Sequence, residues 1–120
     1  MNVEVEPRSD YLYVHMSGKY VEDIPIEGHP ASMARACLEG NYRCLLVDVR
    51  EVTGFIGTLE YFHQGEQIAG AFMVSDCRIA VVGTAERKEM LMFFEDVVTN
   101  RRIKLKVFID IDEAEEWLMA

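Results

Sequence analysis

The sequence predicts an α/β fold, a mixed sheet with an N-terminal β-hairpin and parallel central strands covered by about four helices, in the order β-β-α-β-α-β-α-β-α. Three observations carry this expectation. The chain opens with two short alternating segments around a turn. Three later runs, CLLVDV, RIAVVG and KLKVFID, are rich in β-branched residues. Helix-length segments with one apolar face separate those runs, the pattern of strands joined by helical crossovers.

In NVEVE, Val3 and Val5 alternate with polar neighbours, PRSD supplies turn chemistry, and YLYVHM places Leu12, Val14 and Met16 on one face. Two antiparallel strands are therefore expected at 2–6 and 11–16. GHP then breaks the chain, with Pro30 placed as a first helical residue. Met33, Ala34, Cys37 and Leu38 recur at helical spacing until Gly40-Asn41 stops them.

CLLVDV and RIAVVG are almost continuously apolar, as strands covered on both faces are. At about 100° per residue, Tyr61, Phe62, Gly65, Ile68, Ala69, Phe72 and Met73 fall opposite His63 and Gln67, which predicts a helix over 59–73. Met90, Leu91, Phe94, Val97 and Val98 form a second stripe over 86–100. Asp110 followed by Glu113 resembles a helix start, after which Ala114, Trp117 and Leu118 face one way.

The chain has 120 residues, half of them hydrophobic and 28% charged. That length suits one domain, 1–120, and buries roughly two thirds of the surface of the unfolded chain, enough for a core without metal or disulfide staples. No linker, repeat or low-complexity tract suggests a second domain. With 21 acidic against 12 basic residues the net charge is −9, a field that repels nucleic-acid phosphates and anionic lipid headgroups. No stretch approaches about 18 apolar residues, and MNVEVEPRSD lacks the pattern of a signal peptide. Cys37, Cys44 and Cys77 are odd in number, lack C-x-x-C spacing and sit in apolar segments, as reduced core residues of a cytoplasmic protein do.

The element order, the opening hairpin and the short final helix are similar to the STAS fold of anti-sigma factor antagonists. GKYVEDI, RIAVVGT and VFIDIDEAEEWL look closer still to the SpoIIAA-like family within it. The likeness spans nearly the whole chain, and the order and spacing of the segments carry it. The resemblance implies a regulatory module in which an Asp-Ser-Ser-Gly motif opens the helix after the third strand and a hydroxyl there is phosphorylated by a partner kinase. Counted without gaps from Asp48, that motif falls on Ile56, Gly57, Thr58 and Leu59, of which only Thr58 keeps a hydroxyl.

Thr53, Gly54, Gly57 and Thr58 thus form a candidate phosphoacceptor or anion-binding turn. The same threonines also suit capping of the helix that follows, and the two glycines suit turning the chain. Glu60, His63 and Glu66 place a Glu-x-x-His spacing on a helix, half of a di-iron motif, but no second copy and no further converging carboxylates accompany it, so no metal is expected. The chain shows no G-x-S-x-G elbow, no G-x-G-x-x-G and no phosphate loop, which points away from an enzyme and from a bound cofactor.

RRIKLK gathers Arg101, Arg102, Lys104 and Lys106 in an acidic chain. It reads as a helix C-terminus followed by a protected edge strand, or as a dock for an acidic partner. Met92 and Phe93 interrupt the polar side of their helix and are a candidate interaction surface, the alternative being tighter packing against a neighbouring helix. Two functions follow. One is a non-catalytic binding or regulatory module that associates with a protein partner or with itself as a dimer. The other is a carrier or sensor of a small apolar or lipid-like ligand held between the sheet and helices 59–73 and 86–100, which a sizeable apolar pocket would favour.

Overall fold

The structure, a computed structural model, describes residues 2–19, 29–54, 57–73 and 76–120. GKYVEDI beyond Lys19, the first residue of GHP, and Ile56 of the turn lie outside the described residues. Five strands form one sheet in sequence order: β1 (Asn2–Pro7), β2 (Leu12–Lys19), β3 (Cys44–Thr53), β4 (Arg78–Val82) and β5 (Lys104–Phe108). The helices are α1 (His29–Glu39), α2 (Thr58–Phe72), α3 (Lys88–Thr99) and α4 (Ile111–Met119), with a 3-10 turn at Ala85–Arg87 before α3. β1 runs antiparallel to β2, whereas β2, β3, β4 and β5 pair in parallel, Leu45 with Ile79 and Ile79 with Leu105.

Alternation in the strands sorts their side chains onto two faces. Leu12, Val14 and Met16 of β2, Leu45, Val47 and Val49 of β3, Ile79 and Val81 of β4 and Leu105 of β5 pack under Met33 and Cys37 of α1, Tyr61 and Phe72 of α2, and Leu91 and Phe94 of α3. On the opposite face Tyr11, Leu46, Ala80 and Val82 pack under Ala114 and Leu118 of α4. β3 and β4 are buried on both faces, hence their nearly continuous apolar sequences. The edge strand β5 alternates Lys104 and Lys106 with Leu105 and stays exposed on one side.

α2 and α3 approach closely because Gly65 has no side chain: a Cβ there would lie 2.6 Å from Cγ1 of Val97. α4 begins as its sequence indicates, with Asp110 Oδ1 accepting from the Asp112 amide at 2.8 Å. At the other end of α3, Arg101 donates to the Val97 carbonyl at 2.9 Å, so this arginine closes a helix C-terminus, where orphan carbonyls favour a cation. The three cysteines are free thiols, Cys37 and Cys77 buried and Cys44 half-buried.

Two assignments to apolar stripes are corrected: Leu38, placed on the apolar face of α1, is 67% exposed. Met73, assigned to the apolar stripe of α2, lies one residue past the helix and is 73% exposed, because the helix that would seat it has ended. β3 carries an irregularity in its pairing with β2. His15 pairs with Asp48 but Ser17 pairs with Glu51, so two residues, Val49 and Arg50, oppose Met16 alone. This β-bulge reverses the alternation, turns Glu51 to the side of His15 and sends Val52 into the main core.

Candidate functional site

β3 ends at Thr53, Gly54 turns with φ 83°, and α2 begins at Thr58. That left-handed φ is what requires a glycine at position 54. Gly57 has φ −73° and ψ 167°, an extended conformation open to any residue, and a Cβ there would meet nothing within 4 Å. Gly57 is the N-cap of α2, with no side-chain cap. The threonines therefore do not cap. α2 starts one residue earlier than expected, so Thr58 is its first helical residue, while the Thr53 hydroxyl donates to the Gly18 carbonyl at 3.4 Å and ties the end of β3 to β2. Arg87 donates to the Gly54 carbonyl and braces the turn against the segment before α3. Thr58 and Leu59 face solvent, Leu59 at 68% exposure, on a helix start whose first backbone donors have no partner within the helix.

The other sequence candidates do not join this turn. His63 and Glu66 are exposed, and Glu66 pairs with Arg101 at 3.5 Å. Among the described residues no three His, Cys, Asp or Glu side chains gather as metal ligands would. Phe93 packs against the main core, whereas Met92 is 47% exposed. Lys104 reaches Asp76 at 3.3 Å from the open edge of the sheet.

A cavity of about 80 Å³ lies between the sheet and the helices, walled by Met33, Val49, Tyr61, Ile68 and Leu91 and by Gln64. Nε2 of Gln64 is buried there without a hydrogen-bond partner among the described residues. An engineered cavity of about 150 Å³ holds benzene and drug-sized ligands need about 300 Å³ or more, so this space admits a group of a few heavy atoms.

The densest polar chemistry lies on the sheet face that α4 covers in part. Asp48, 2% exposed, is the buried charged residue among the described residues. Its Oδ2 accepts from the Tyr13 hydroxyl at 2.7 Å and from Nη2 of Arg50 at 2.8 Å, and its Oδ1 accepts from Nε and the backbone amide of Arg50 at 2.9 and 3.1 Å. Burial alone would raise its pKa. The donors from Arg50 and Tyr13 outweigh that and hold the carboxyl at about 2. Tyr13 responds in the opposite sense: desolvation and the Asp48 carboxylate push its phenol up to about 12. Around this group the Arg8 guanidinium lies 4.1 Å above the centre of the Tyr13 ring, His15 stacks beside that ring at 6.4 Å, and His15 Nε2 is 2.9 Å from Glu51 Oε2. The sequence reading passed over this cluster. Its one signal is an aspartate inside the apolar run CLLVDV with an arginine two residues on.

No protein-family model matches the chain, and no curated protein matches it. Among solved structures it is similar to an anti-sigma factor antagonist from Mycobacterium paratuberculosis, at 14% identity and a TM-score of 0.68, over 99% of this chain and 94% of that one. Identity that low speaks to architecture rather than to residues. An opening antiparallel hairpin, parallel strands β2 to β5 in one sheet and a helix after each of β2, β3, β4 and β5 give this chain the STAS fold of the anti-sigma factor antagonists.

Proposed function

We propose that the chain is a non-catalytic, cytoplasmic regulatory module that acts by binding a protein partner or a second copy of itself. The observation that carries this reading is the end-to-end likeness of fold to a protein described as an anti-sigma factor antagonist. Among the described residues no helix is long and apolar enough to cross a membrane. The contact face is the β3–α2 turn, where Thr58 and Leu59 stand exposed, and Met92 extends the apolar surface available to a partner. Phosphorylation of Thr58 would place a charge of about −1.5 to −2 on the first turn of α2, where the helix dipole tolerates it, while repelling an acidic partner or the same patch of a second copy.

Thermal melting and sedimentation of Thr58→Glu and Thr58→Ala test this. Thr58→Glu is expected to weaken association with the melting temperature held, and Thr58→Ala to leave both unchanged. A lower melting temperature in Thr58→Glu with association intact would make the position structural and remove the turn from the contact face.

A second reading, a carrier or sensor of a small apolar or lipid-like ligand, rests on the apolar walls of the cavity, whose volume of about 80 Å³ limits it to a group of a few heavy atoms. A native mass spectrum of the protein from its own cells separates the two. Added mass of a small molecule on each chain supports the carrier, and a bare dimer or a complex with another protein supports the module.

A further inference from the structure

Burying a carboxylate is costly unless its acceptors are all engaged, and a buried ion pair holds a fold no better than well-packed apolar residues of the same volume. Stability relative to apolar residues of the same volume therefore does not account for Asp48 and Arg50 in β3. Their geometry does something else. Arg50 meets Asp48 side-on, through Nε and Nη2. That leaves Nη1 of the guanidinium outside the hydrogen bonds to Asp48, on a side chain that is 41% exposed, while the Tyr13 hydroxyl interacts with the same guanidinium. The β3 bulge contributes as well, since the Arg50 amide itself donates to Asp48 and fixes the backbone from which the side chain leaves. A planar fork held from behind by Asp48, on a side chain that is 41% exposed, is prepared for bidentate binding of two coplanar oxygens. Arg8 adds a second guanidinium, lying over the ring whose hydroxyl shares Asp48 with Arg50.

We infer that the outer edge of Arg50, with Arg8 beside it across Tyr13, is a binding site for a carboxylate group. A singly charged anion fits better than a phosphate dianion because the surroundings carry little surplus positive charge. Asp48 offsets Arg50, Glu6 lies 3.4 Å from Arg8, Glu51 pairs with His15, and the chain as a whole is at −9. The site stands whether or not the protein-binding reading holds, since it is read by a small probe.

The test is a titration of the isotopically labelled full chain, followed by NMR at the Arg50 Nε–H and at the backbone amides of Tyr13 and Arg50. The probes are acetate, a blocked Ala-Asp-Ala peptide and inorganic phosphate at matched ionic strength. A saturable shift with acetate or the peptide is expected, and the tighter of the two shows whether a free acid or a peptide-borne carboxylate is preferred. Arg50→Lys, which keeps the charge but loses the fork, is expected to bind about tenfold more weakly while melting as a folded protein. Should that variant fail to fold, Arg8→Gln, which removes the half-exposed second cation, is expected to weaken binding about threefold. The absence of saturation with either carboxylate, tighter binding of phosphate than of both, or unchanged affinity in the variants would overturn the assignment.

Discussion

Neighbouring residues of the same two strands meet different surroundings. Leu12, Val14, Leu45 and Val47 are sealed under α1, α2 and α3, while Tyr13, His15, Asp48 and Arg50, at intervening positions, lie on the face that α4 covers over Leu46, Ala80 and Val82. The first face is held by apolar contact area around a cavity of about 80 Å³, and apolar contact has no dependence on protonation. The second includes a buried carboxylate whose hydrogen bonds from Tyr13 and Arg50 are charge-assisted only while it is ionised. Perturbations that change volume should therefore act on one face and changes of pH on the other.

The largest effect is expected on the sealed face. Phe72→Ala empties a fully buried ring position and should cost about 3–5 kcal/mol in urea unfolding, by lost burial and the cavity left behind. A cost below about 1 kcal/mol would mean that the helices collapse onto the gap and that this face is less rigidly packed than its burial implies.

Acid should probe the other face. The Asp48 carboxyl stands at about 2 in the fold against an ordinary 3.8, so its contribution is fully present above the ordinary value and is lost as pH falls through the folded one. That is about 2 kcal/mol of stability disappearing between about pH 5 and pH 2. Urea unfolding across that range should show Asp48→Asn with the shallower acid limb and Phe72→Ala with the limb of the parent. Equal limbs in all three proteins would erase the distinction between the faces.

The smallest test compares two glycines of one helix. Gly65→Ala must push against the branched Val97 and should cost about 1–3 kcal/mol, whereas Gly70→Ala enters open space and should gain about 0.5–1 kcal/mol from helix propensity. Opposite signs locate the tight α2–α3 contact, and equal signs would deny it.

Much of the sealed face was legible in the sequence. Its side chains obey the periods of 2 and 3.6, as Leu45 with Val47 and Leu91 with Phe94 do, and Asp110 begins α4 as a local cap signal says it should. The polar cluster was not, because its partners are local in space and distant in sequence: Tyr13 and Asp48 are 35 positions apart. One extra residue in β3 is likewise invisible to a reading that assumes unbroken alternation, and Glu51 and Val52 take the faces that such a reading would exchange. At the turn the sequence placed Thr58 close to its true position. The one-residue difference in the start of α2 nevertheless changes its role from a cap to a solvent-facing first residue of the helix.

β3 also behaves as a strand in two phases. Up to Asp48 it keeps step with β2 and β4, and after Arg50 it resumes half a period later, in step with β2 alone. The segment that spans both ladders and the segment that leads into the β3–α2 turn thereby differ in register. The direction in which Thr53 and Gly54 leave the sheet follows from the one-residue shift beside Met16, which gives the end of β3 a register with β2 separate from the one it keeps with β4.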